Sequence, residues 1–143
     1  MKSVLRLSAP NVEIATTRAT AFLAEWKRTT ERLTQEEAWT RMAEVVFAYW
    51  AARMGHPKAI LDRKREGKIL ARLRENRGDL GELLYVVDGA RKDDWLMGRD
   101  PRCPRSYDGI ETLFRDREQV ERLANLAPGY RTGQAHPMLS VER

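Results

Sequence analysis

The chain has 143 residues, 42% of them hydrophobic and 33% charged, and its 26 lysines and arginines against 21 acidic residues leave a formal net charge of +5. That length suits one domain with its own core. The composition excludes a disordered polyelectrolyte, and no run approaches the about 18 apolar residues that a spanning helix needs.

Residues 1–16 carry Pro10 and show no periodicity, which predicts a flexible N-terminal arm. Residues 1–10 also lack the apolar stretch of a secretory signal, and the lone Cys103 permits no internal disulfide, so a cytoplasmic protein is expected. Helical spacing begins near Thr17, with Phe22, Leu23, Trp26 and Leu33 as apolar positions. Thr34 followed by Glu37 predicts a capping box, in which each side chain satisfies a free backbone N–H of the other. The helix it opens carries Trp39, Met42, Val45, Val46, Tyr49 and Trp50, and Gly55 with Pro57 ends it near Met54.

Asp62 is the expected N-cap of the next helix, which runs to about Asn76 over a buried stripe of Ile69, Leu70 and Leu73 and stops at Gly78. Asp79 opens another, Leu80 to Val87. Its Gly81 and Gly89 each cost about 1 kcal/mol relative to alanine, so packing must hold it. Gly98, Pro101 and Pro104 predict a long loop over residues 92–106. A short helix near residues 108–115 and a last one capped by Asp116 follow, the latter carrying Val120, Leu123 and Leu126. Pro128-Gly129 ends it, and residues 128–143 are expected to form a flexible tail. The expected fold is all-α: a compact bundle of five or six helices within residues 17–127.

Catalysis needs clustered titratable groups, and few are available. His56 and His136 each precede a proline in separate loops and read as surface residues. With one cysteine and no paired ligand spacing, no metal site is expected, and no phosphate-cradling glycine loop or cofactor motif is present. Asp93, Asp94, Asp100 and Asp108 read as helix caps and arginine partners.

The cations are more informative. Lys64, Lys68 and Arg72 lie at i, i+4 and i+8 and form a ridge on one helix, expected to face solvent opposite Ile69 and Leu73. Such a row suits a phosphate backbone, and equally suits an ordinary solvated face. Arg99, Arg102 and Arg105 lie in the long loop between Trp95 and Tyr107. Aromatics beside arginines suit single-stranded nucleic acid, with bases stacked on rings and phosphates on guanidinium groups. Alternatively, Trp95 and Leu96 plug the core. Trp26, Trp39 and Trp50 sit at helical spacing and read as core.

One set of short strings resembles a known family: residues 45–50 (VVFAYW) and 54–58 (MGHPK), then Asp62, Arg65, Ile69 and residues 71–73 (ARL), residues 87–89 (VDG), Met97-Gly98, residues 107–111 (YDGIE) and Arg115-Asp116. Together they resemble the C-terminal domain of phage and prophage replication proteins of the replisome-organiser and helicase-loader type. More distantly, they are similar to the C-terminal helical domain of DnaD-type primosomal proteins. The resemblance spans residues 43–127. It implies a non-enzymatic, DNA-binding replication protein that favours single strands, with the replicative helicase or a second copy of itself as protein partner. Two features depart from the pattern. Residues 1–42 are too few for the usual winged helix, and Ile110 stands three residues after Tyr107, with Arg115 where the DnaD-type signature would place a tryptophan. Two rivals are a protein-binding adaptor or inhibitor of a host complex, and a helix-turn-helix regulator built on the turn at Arg77-Gly78.

Overall fold

The computed structural model describes residues 33–140; the expected arm over residues 1–16 and the helix expected from Thr17 lie outside them. Among the described residues are six α-helices: α1 Gln35–Met54, α2 Arg63–Glu75, α3 Leu80–Ala90, α4 Ile110–Leu113, α5 Arg117–Ala124 and α6 Pro128–Arg131. A 3-10 turn, Pro137–Ser140, closes the series. The only β pairing among them is an isolated bridge between Asp100 and Cys103. The fold is all-α, and no described helix is long and apolar enough to cross a membrane.

The helix starts follow from local chemistry. Thr34 and Glu37 complete the capping box of α1. Asp62, Asp79 and Asp116 accept the backbone N–H three residues on, at 2.8, 3.1 and 2.8 Å. Gly55 ends α1 in the left-handed conformation at φ 74°. After α2 the chain turns through Arg77 at φ 60° and Gly78 at φ 83°, and the Gly78 N–H donates to the Leu73 carbonyl at 2.8 Å.

Helix α3 is the centre of the bundle. Every residue from Leu80 to Val87 is buried, as are Gly89 and Ala90, and the helix packs on α1 on one side and α5 on the other. Gly89 explains how α5 comes so close: a Cβ there would overlap the backbone carbonyl oxygen of Leu123. The glycine that weakens α3 as an isolated helix is what permits the α3–α5 crossing.

A buried carboxylate ties these helices together. Both Glu82 oxygens are engaged: by Arg117 in a bidentate pair at 2.6 and 2.8 Å, by Asn76 Nδ2 at 2.8 Å and by the Tyr130 hydroxyl at 2.8 Å. Burial alone would raise the Glu82 carboxyl, but the hydrogen bonds from Arg117, Asn76 and Tyr130 outweigh it and hold the group below its ordinary value. Burial and the bond to Glu82 push the Tyr130 phenol up to about 12.

Residues 128–140 depart from the expected tail. Pro128 starts a short helix instead of ending one, and His136 and Met138 are buried. His136 is only 2% exposed. Its ring packs edge-on against Tyr85 and Tyr49, with centroids 4.6 and 5.4 Å away. Its Nδ1 accepts the Met138 N–H at 3.1 Å, so the ring proton sits on Nε2, which donates to Asp88 at 2.7 Å. The Tyr49 hydroxyl donates to the other Asp88 oxygen at 2.6 Å. Both groups, with Arg53, counter the effect of burial and keep the Asp88 carboxyl below its ordinary value. The bond from His136 to Asp88, 48 residues away, thus joins the bond from Tyr130 to Glu82 in tying this segment to α3.

Candidate nucleic-acid interface

Residues 91–107 form a closed loop. Asp93 Oδ1 accepts the Leu96 N–H at 2.9 Å, while Asp93 Oδ2 meets Arg122 Nη1 on α5 at 3.0 Å. The Tyr107 N–H donates to the Leu96 carbonyl at 2.7 Å, which zips the end of the loop to its beginning. Gly98 sits at φ 74°, where a Cβ would crowd the backbone at Ser106. Leu96 is the plug: it is buried, whereas Trp95 beside it stands 47% exposed and Tyr107 43%. The alternative in which Trp95 also fills the core is therefore corrected: of the two neighbours only Leu96, whose N–H is held by Asp93, is buried.

Trp95 and Tyr107 border one open groove of about 490 Å³, whose other walls are Leu96, Thr112, Arg115, Gln119 and Arg122. The two arginines were not among the sequence candidates. No local spacing signalled them: Thr112 lies on α4, Arg115 in the turn after it, and Gln119 and Arg122 on α5, so the docking of separate elements brings them to one groove. Arg115 pairs with Asp116 at 3.1 Å, and Arg122 Nε donates to Gln119 Oε1 at 3.2 Å. Both guanidinium planes are thereby held at the groove with donors to spare.

The loop arginines lie outside this groove. Arg99 binds Asp94 at 2.8 Å and caps the Arg91 carbonyl at 2.7 Å, and Arg102 binds Asp100 at 2.9 Å. Arg105 is exposed, with no side-chain partner among the described residues. Asp93, Asp94 and Asp100 thus serve as caps and arginine partners, the roles expected of them.

The helical ridge is only partly open. Lys64 is exposed and 3.4 Å from Glu111, and Lys68 is half-buried without a partner among the described residues. The Arg72 side chain is 11% exposed and pairs with Glu75 at 3.1 Å. The expectation that this ridge lies opposite the Ile69–Leu73 stripe is corrected. At about 100° per residue Lys64, Lys68 and Arg72 lie about 160°, 120° and 80° from the middle of that stripe, so only Lys64 is truly opposite it, and α2 also packs against α4 and α5.

Neither histidine is a plain surface residue. His56 stacks on Trp50 with centroids 4.9 Å apart and meets Asp108 at 2.9 Å, while the Trp50 indole N–H donates to the Asp108 carbonyl at 2.7 Å. His136 has both ring nitrogens engaged. A helix-turn-helix at Arg77-Gly78 would make α3 the base-reading helix, and α3 is buried along almost its whole length. No family model, curated protein or solved structure matches this chain.

Proposed function

We propose that the protein is a non-enzymatic DNA-binding accessory protein of phage-type replication, acting in the cytosol and preferring single strands. The observation that carries this reading is the pair of exposed aromatics, Trp95 and Tyr107, on a groove flanked by Arg115 and Arg122. A tryptophan left in solvent by an otherwise well-packed fold offers a stacking surface, and stacking on a base removes it from water. Lys68 and Arg105 add charge, while Lys64, Arg72, Arg99 and Arg102, already paired, contribute less. The resemblance to replication proteins supplies the context, with the replicative helicase or a second copy of the chain as protein partner.

Fluorescence anisotropy with labelled single-stranded and duplex DNA over a salt series tests the reading. The expected result is micromolar or tighter binding, stronger for the single strand, that weakens steeply with salt. No binding at low salt would favour a protein-binding adaptor instead.

A further inference from the structure

The turn that lends Trp95 and Leu96 to the first groove lends Arg91 and Lys92 to a second one, of about 580 Å³. Arg53 and Asp88 stand beside them, and Pro128, Gly129, Gln134 and Pro137 form the facing wall. Three cations thus surround one carboxylate. That carboxylate is already committed: Asp88 accepts from Tyr49 at 2.6 Å and from His136 at 2.7 Å, with Arg53 Nε 3.7 Å away.

The cations are less committed. Arg53 Nε faces Asp88 at 3.7 Å without a hydrogen bond, and the two Nη groups of Arg53 have no hydrogen-bond partner among the described residues. Arg91 uses Nη1 to cap the Arg53 carbonyl at the end of α1, which leaves the rest of its guanidinium free to donate. The Lys92 ammonium has no partner among the described residues. Two guanidinium groups and an ammonium lining one open depression supply the positive charge and the N–H donors that a phosphate takes.

We propose that this second groove is a phosphate-binding site that holds a phosphodiester of the strand whose bases stack at Trp95 and Tyr107. The inference rests on the nucleic-acid reading above. Lys92 and Trp95 are three residues apart, a reach of at most about 10 Å, so one strand crossing the 91–95 turn meets both grooves. Because residues 128–137 form the opposite wall, an occupant also holds that segment against the helices, and binding protects it.

The test uses the full chain with two probes, inorganic phosphate alone and a labelled oligothymidylate, on the wild type, Lys92→Gln, Arg53→Gln and Trp95→Ala. Phosphate is expected to shift the amide resonances of Arg91, Lys92 and Gly129 saturably, and to slow hydrogen exchange over residues 128–140. Lys92→Gln should weaken oligothymidylate binding about threefold to tenfold and reduce the salt slope by about one. Arg53→Gln should act in the same direction. If it fails to fold, Lys92→Gln, at an exposed position, still decides the matter. Oligothymidylate binding that needs Trp95 but is unchanged by Lys92→Gln overturns the phosphate site and leaves the base groove standing. Saturable phosphate shifts with no oligothymidylate binding by the wild type overturn the nucleic-acid assignment.

Discussion

In this protein a glutamate is buried and a tryptophan is not. Glu82 lies among α2, α3, α5 and α6 with four hydrogen bonds to its two oxygens, whereas Trp95 stands 47% exposed on a closed loop. Hydropathy alone would place them the other way round. Partners, not hydropathy, decide position here. A carboxylate is tolerated inside because Arg117, Asn76 and Tyr130 replace the water it loses, and Trp95 stays outside because Leu96 already fills the core below it. The interior spends its polar groups on cohesion, and the groove keeps its aromatic and cationic groups available.

Substitutions should separate the two regions. The largest effect is expected for Gly89→Ala, whose methyl would overlap the Leu123 carbonyl. Since that obstacle is backbone, α3 and α5 must part, at a cost of about 3 kcal/mol despite the gain in helix propensity; chemical denaturation measures it, and a neutral result would mean that the crossing is looser than described. Next comes Arg117→Leu, which leaves Glu82 buried without its cation. Because the Arg117 side chain is 36% exposed, the loss should be about 2 kcal/mol, below the range for a fully buried pair.

Acid should act on the same interior. Glu82 and Asp88 both have carboxyls depressed from ordinary values of 4.5 and 3.8. Their stabilisation is complete above those unfolded values and is lost as pH falls through the lower folded ones. The melting temperature should therefore hold near neutrality and drop below about pH 4, more steeply in the wild type than in a Glu82→Gln, Asp88→Asn double variant. The smallest effect is expected for Gly67→Ala in α2, where a Cβ meets nothing within 4 Å. Here propensity acts alone and should stabilise by about 0.5–1 kcal/mol. Gly67 and Gly89 thus form an internal control, the same substitution with opposite signs.

These cases also show what the sequence could reveal. The caps at Thr34, Asp62, Asp79 and Asp116 were legible because each pairs groups three residues apart. The Glu82–Arg117 and Asp88–His136 pairs were not, since they join residues 35 and 48 apart in the chain and no local pattern announces them. For the same reason residues 128–140 read as a tail: they are held by contacts distant in sequence, His136 on Asp88 and Tyr130 on Glu82. In the candidate site, the proximity of Trp95 and Tyr107 was legible, but which of Trp95 and Leu96 turns inward depends on the Asp93 turn. Arg115, in the turn before α5, and Arg122, on α5, enter only when α5 docks beside that loop.

Whether bases stack on Trp95 and Tyr107 is decided by the oligothymidylate affinity, from fluorescence anisotropy, of a Trp95→Ala, Tyr107→Ala double variant against the wild type at matched salt. Stacking is worth about 1–3 kcal/mol per base, so affinity should fall by at least about tenfold, with denaturation midpoints nearly unchanged because both side chains are exposed. Wild-type affinity in a folded double variant would contradict the account, and the groove would then have no role in binding nucleic acid.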